Sequence, residues 1–170
     1  MAVLRGDRVV LRPGEPDDVP RLRAILAEAS VMLWWGEPDD EEDLAEALAG
    51  DGECVMLVIE AGGAVAGGIQ YCEQPVEQYR HAGIDIFLST AHQGRGLGTE
   101  AVGLLVRFLI DQRHHHRLTI DPAAANARAI RSYEKVGFRP VGILREYERG
   151  LDGTFHDGLL MDLLASETAR

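Results

Sequence analysis

Cysteine is nearly absent from this chain, with two residues in 170. A small disulfide-stapled fold needs more, and Cys54 and Cys72 both fall in strand-like stretches, so no disulfide framework is expected. Long apolar runs are missing too, and none approaches the roughly 20 residues of a membrane-spanning helix. The opening residues, Met1-Ala2-Val3-Leu4-Arg5-Gly6-Asp7-Arg8, lack the apolar centre of a secretory signal. These absences predict a cytoplasmic protein with no membrane partner. Positive charge is scarce: 17 Lys and Arg stand against 28 Asp and Glu, a net charge of −11. Such a surface repels phosphates, which excludes nucleic acid as a partner. It suits a small cationic substrate, although solubility alone also accounts for it. No repeat, low-complexity tract or linker interrupts the chain, and its length predicts one domain over residues 1–170.

Taken in order, residues 8–12 read as a short strand stopped by Pro13-Gly14. Asp17 and Asp18 stand where caps belong, before a helix with the apolar stripe Val19, Leu22, Ile25 and Leu26. Both tryptophans, Trp34 and Trp35, come just before Gly36 and Pro38, and the spacing predicts a loop or short turn there. Seven acids (Glu37, Asp39, Asp40, Glu41, Glu42, Asp43 and Glu46) lead into a second amphipathic helix through Leu44, Ala47 and Leu48. That block is a solvated face or an acidic wall for a polyamine. Residues 54–60 and 64–72 are two strands around Ala61-Gly62-Gly63. Gly67-Gly68 predicts a bulge or a close backbone approach. A polar connection, residues 73–81, contains Tyr79.

Residues 82–138 organise the rest. Ile84, Ile86 and Leu88 alternate with Asp85, Phe87 and Ser89, as a strand does. Gly94, Gly96 and Gly98 follow, and then Leu97, Ala101, Leu104, Leu105, Phe108 and Leu109 recur at helical spacing. Strand, glycine loop and helix N-terminus together present free backbone N–H groups to an anion. A Walker loop needs Gly-Lys-Ser/Thr and a dinucleotide fingerprint needs G-x-G-x-x-G; neither is present. A strand at residues 118–121 ends at Pro122, and a helix over residues 126–136 stops at Gly137. Strands at 138–147 and 155–164 flank a turn at Leu151-Asp152-Gly153. The predicted order is β-α-α-β-β-β-α-β-α-β-β, an α/β fold.

Some residues can carry chemistry. Asp85 sits in an otherwise apolar strand, where a carboxylate is costly unless paired or solvated in a cleft. It is a base, an ammonium anchor or a salt-bridged acid. Asp121 is a turn residue or a substrate contact. Tyr133 shares a helix face with Asn126 and Ile130, while Arg128, Arg131 and Lys135 form a basic stripe beside it. His114-His115-His116 has no partner at metal-ligand spacing and belongs at a helix end, where positive charge is favourable. No metal is expected.

The loop read as Gln93-x-x-Gly96-x-Gly98, followed by Asn126, a helix carrying Tyr133 and then Gly137-Phe138, resembles the GNAT N-acetyltransferases. The element order resembles that fold as well, a mixed, mostly antiparallel sheet flanked by helices. Trp34-Trp35-Gly36, Gly83-Ile84-Asp85, the run from Gly94 to Thr99, Asp121-Pro122 and the run from Ala129 to Phe138 resemble, more narrowly, the aminoglycoside 6′-N-acetyltransferases. That resemblance implies acetyl-CoA as co-substrate, held by Phe87, Leu88, Gln93, Gly94, Arg95, Gly96, Gly98, Thr99, Asn126, Arg128 and Lys135. It implies Asp85 as base or anchor for the 6′-amine of an antibiotic and Tyr133 as acid. Trp34, Trp35, Tyr79 and Asp121 then contact the acceptor. Residues 144–161 look more like acetyltransferases of protein N-termini and small amines, so a peptide N-terminus or a small polyamine is the alternative acceptor. A non-catalytic acetyl-CoA-binding module is the remaining one. The assembly is expected to be a monomer or a homodimer.

Overall fold

The computed structural model describes residues 3–38, 40–50 and 54–168. Asp39 of the acidic block lies outside them. Strand β1 (Leu4–Arg5) and β2 (Val9–Pro13) are followed by helices α1 (Val19–Leu26), α2 (Ala29–Trp35) and α3 (Glu41–Ala49). Next come β3 (Cys54–Ala61), β4 (Ala64–Gln74), β5 (His81–Leu88), α4 (Leu97–Asp111) and β6 (Arg117–Ile120). Helix α5 (Ala127–Val136), β7 (Arg139–Arg149) and β8 (Phe155–Leu164) complete the fold. Among the described residues one sheet results, in the order β1-β2-β3-β4-β5-β6-β8-β7, with β5 and β6 its one parallel pair. The expected fold class holds, with one short strand and one helix more than the sequence reading.

The extra helix is where a loop or turn was expected. Residues 29–35 contain no glycine or proline, Glu28 enters them extended, and Gly36 ends them with φ of 79°. Only Val31 of α2 is fully buried, so there is no apolar period to read. The cysteines are a second correction: Cys54 and Cys72 form a disulfide, their Cα atoms 4.1 Å apart. Strand register is the reason. Ala61 pairs with Ala64 and Glu60 with Val65, but Ile59 pairs with Gly67, so Ala66 is an extra residue. Without this bulge Cys54 would face Tyr71. The bulge adjoins Gly67-Gly68, and close approach is found there too. A Cβ on Gly67 would stand 2.1 Å from the Phe87 carbonyl oxygen.

Both sheet faces are covered. Leu57 and Ile59 of β3 point into a core with α4, Tyr133 and Phe138, while Met56 and Val58 point into a second core with α1 and α3. The acidic block caps and lines the exposed side of α3, where the Asp40 carboxylate accepts from the Glu42 and Asp43 amides. The histidine triplet does follow the end of α4, where the His115 amide donates to the Leu109 carbonyl at 3.0 Å, but the His115 side chain turns inward. His115 is buried, its Nε2 2.6 Å from Glu73 Oε1, and Arg113 grips the same carboxylate. No helix among the described residues is long and apolar enough to cross a membrane.

Asp18 occupies the N-cap position of α1 without capping it. Its carboxylate accepts from Arg12 at 2.7 and 2.8 Å and from the Glu15 amide at 2.8 Å. The Arg12 guanidinium holds the Asp18 carboxyl below the usual range, against the effect of burial. The stabilisation is therefore present above the unfolded value of about 3.9 and is lost as pH falls through the folded value. Asp18→Ala is expected to cost about 3 kcal/mol at neutral pH. Urea unfolding should show that loss, and the variant should have a flatter acid limb below about pH 4.

Candidate active site

The ladder between β5 and β6 is two pairs long, Ala82 with Leu118 and Gly83 with Thr119. Beyond them β5 runs on beside β4 to Leu88, whereas β6 stops at Ile120. The two strands border a cleft of about 630 Å³, floored by Asp85 to Leu88 and flanked by Ile120 to Ala123. An open strand edge leaves carbonyls to satisfy. The Trp35 indole N–H donates to the Ile86 carbonyl at 3.2 Å, and Gln93 Nε2 donates to the Leu88 carbonyl at 2.8 Å.

One set of lining residues presents backbone amides and positive charge. Gly94 and Gly96 have φ of 70° and 78°, and Gly96 is the N-cap of the fifteen-residue α4. A Cβ on Gly94 would meet nothing within 4 Å, so its backbone faces open space. Gln93 ties this loop down, since Arg128 donates to its Oε1 at 2.7 Å and its Nε2 also reaches Ser30 Oγ at 3.2 Å. Arg128, Arg131 and Lys135 of α5 line the same cleft. The side chain of Asn126 caps α5 through the Ala129 amide at 3.1 Å and borders the cleft as well.

A second set gathers carboxylates. Asp85 accepts from Gln70 Nε2 at 3.1 Å. Burial pushes its carboxyl above the usual range, the Gln70 bond opposes this, and the Asp121 charge adds to it. Glu148 is raised too, by burial first and then by Asp121 and Asp85. The Tyr147 hydroxyl donates to Asp121, and that bond is the main reason its phenol is pushed up to about 12. Tyr133 is raised further, by burial and then by Asp85 and Asp121, so its phenol stays protonated at neutral pH.

Most residues named from sequence thus meet in one cleft: Trp34, Trp35, Phe87, Leu88, Thr99 and Gly98 border it along with those just described. Phe87 does so as a core residue, edge-to-face with Trp35 at 4.9 Å. Two named residues are not brought there. Tyr79 is 74% exposed on a 3-10 turn, and Arg80 pins that connection to the carbonyls of Arg113 and His114, at the opening end of β5. The Arg95 side chain is exposed, and its carbonyl accepts from Arg8 at 2.8 Å. The described acidic-block residues are also absent from the cleft lining. Gln70, Tyr147 and Glu148 escaped the sequence reading. Gln70 needs the β4–β5 register to face Asp85, and the other two follow an irregularity in β7.

Comparisons with known proteins agree with this arrangement. Residues 8–139 match the family described as Acetyltransferase (GNAT) domain. An aminoglycoside N(6′)-acetyltransferase type 1 of Klebsiella pneumoniae is 30% identical over 154 residues, covering 80% of this chain and 76% of the relative. A spermidine N(1)-acetyltransferase of Escherichia coli (strain K12) is 29% identical over 158 residues, covering 90% and 84%. The solved structure of ribosomal L7/L12 alpha-N-protein acetyltransferase with coenzyme A gives a TM-score of 0.85 at 18% identity, over 98% of this chain and 100% of that one. At that identity the likeness speaks for the fold.

Asp85 has a stability signature of its own. Its folded value lies above the unfolded one, so the fold loses stability as pH rises from about 3.9 through the folded value. Asp85→Asn keeps an acceptor for Gln70 and removes the charge. It is expected to raise the melting temperature at pH 7 by on the order of 2 °C. Thermal scans across pH should show the gain closing towards pH 4.

Proposed function

The chain belongs to the GNAT acetyltransferase family, whose members use acetyl-CoA, and on that premise we propose that its acceptor is a cationic small molecule, acetylated at a primary amine such as the 6′-amine of an aminoglycoside. The observation that carries this reading is that one cleft holds two kinds of lining: a glycine loop with three basic side chains, and a cluster of the carboxylates Asp85, Asp121 and Glu148. The E. coli relative named for spermidine favours a linear polyamine as the second reading, since clustered carboxylates suit either.

The loop residues fit the coenzyme. Gly94 and Gly96 carry no Cβ and adopt left-handed backbone, so the amides opening α4 are accessible to a pyrophosphate. Arg128, Arg131 and Lys135 supply positive charge for its other phosphate. Bound acetyl-CoA supplies an acetyl thioester. Asp85 holds the acceptor ammonium and takes one proton from it, directly or through a water, so that the nitrogen lone pair is free to attack the carbonyl carbon. Its raised pKa makes it a stronger base than an ordinary carboxylate. As the C–S bond breaks, Tyr133 gives its proton to the departing sulfur and regains one from the second proton of the acylated nitrogen, directly or through a water, and Asp121 and Glu148 hold further ammonium groups. Ground-state anchors of that kind act on binding more than on turnover.

Thiol release from acetyl-CoA over kanamycin, spermidine and N-terminal peptides tests the reading. Turnover of a peptide alone would overturn it. Gly96→Asp, which adds a like charge and a Cβ beside the loop, is expected to abolish coenzyme A binding in calorimetry. Asp85→Asn should lower kcat about 10²- to 10⁴-fold at saturating acetyl-CoA, the usual cost of losing a general base. Asp121→Asn should act mainly on the acceptor's KM. A kcat for Asp85→Asn within about threefold of the parent, far short of that cost, would remove Asp85 from the role.

A further inference from the structure

Tyr147 and Glu148 reach the cleft through a distortion of β7. Leu144 pairs with Gly158 and Glu148 with His156, so Arg145, Glu146 and Tyr147 stand opposite Asp157 alone. Two residues are thus extra, and the strand must loop out to hold them. Glu146 absorbs the turn with φ of 48°, a left-handed conformation uncommon for a residue with a Cβ. Something must hold it there. The Asp157 carboxylate accepts from the Glu146 amide at 2.9 Å.

Asp157 also works in the other direction. Its backbone carbonyl accepts from the Ala124 amide at 2.8 Å, and the Leu159 amide donates to the Pro122 carbonyl at 2.8 Å. The segment around Asp157 is therefore fastened to the loop that follows Asp121. Next to it, Gly158 leaves room for the Tyr147 ring, since a Cβ there would stand 2.9 Å from Tyr147 Cδ1. The ring lies over Gly158 and its hydroxyl donates to Asp121. Asp157 itself is exposed and does not line the cleft.

We propose that Asp157 is a positioning residue for acceptor recognition: by holding the Glu146 amide it sets the β7 bulge that lays Tyr147 on Asp121 and turns Glu148 into the cleft. The role in recognition rests on the cationic-acceptor reading above; the positioning itself does not. A carboxylate outside the cleft thereby decides how two groups inside it are presented. The glycine loop and the basic side chains, built on β5, α4 and α5, do not depend on it.

Two measurements test this. The first needs no acceptor. With tyrosines labelled at the ring Cζ, Tyr147 of the parent should stay protonated through about pH 11, because Asp121 accepts from its hydroxyl. In Asp157→Ala it should titrate nearer the ordinary tyrosine value of about 10. Asp157→Asn keeps an oxygen acceptor for Glu146 and should behave as the parent. Tyr147 titrating in Asp157→Ala as it does in the parent would overturn the proposal. The second is steady-state kinetics with kanamycin and with spermidine. Asp157→Ala should raise the acceptor's KM about five- to tenfold, the effect of misplacing one hydrogen-bonding group, with KM for acetyl-CoA unchanged. A matching rise in both KM values would mark a merely structural residue and overturn the proposal. If the parent turns over neither probe while the Tyr147 titration moves, the positioning stands and the acceptor reading falls.

Discussion

Beyond Gly83 the central strand keeps its ladder to β4 but has lost its ladder to β6, and the carbonyls of Ile86 and Leu88 are left to side chains. A buried carbonyl with no partner costs about 1–3 kcal/mol, so an open edge inside a sheet has to be compensated. Here the compensation comes from two separate elements, Trp35 at the end of α2 and Gln93 in the glycine loop. Their positions follow from that need. Gln93 in turn recruits Arg128 of α5 and Ser30 of α2, so the same edge draws three elements around it. The cleft is what remains between strands that the sheet does not close.

The charge arrangement follows from where each group meets solvent. The basic side chains come from one helix, α5, bordering the cleft, whereas the carboxylates come from three strands or strand ends that converge on it. Convergence is costly, because Asp85 and Glu148 are both pushed towards their neutral forms by burial and by one another's neighbours. Tyr147 eases the crowding at Asp121 by donating to it, and Gln70 does the same for Asp85. This cluster of carboxylates is held together at the expense of stability, a pattern expected where a site serves binding.

The glycine loop and the helices around it were legible because each depends on local rules. Left-handed glycines, a helix stripe and a C-cap glycine are visible in a single stretch of chain. What escaped depended on register. Cys54 meets Cys72 only because Ala66 is inserted, and Gln70 faces Asp85 only through the β4–β5 ladder. Glu148 enters the cleft only after β7 has taken up one extra residue between Pro140 and Gly142 and two more between Leu144 and Glu148, so its place cannot be read by counting along the strand. Helix α2 has about two turns, too few to display a period. Tyr79 and Arg95 were named by resemblance, and both side chains are exposed: Tyr79 lies outside the motif, and at Arg95 the motif sets the backbone of the loop but not where the side chain points.

The irregularity of β7 has a bearing on how the molecule behaves among its own copies. This strand is the last of the sheet, and a long exposed edge is a template on which another chain can add a strand. Pro140 lacks an N–H to offer, Arg145 and Arg149 are exposed charged residues of the strand, and two register breaks prevent a continuous ladder. The opposite edge, β1, is two residues long. A sheet of eight strands is therefore poorly suited to edge-to-edge growth at either end, and the bulge that shapes the cleft also helps keep the protein from polymerising.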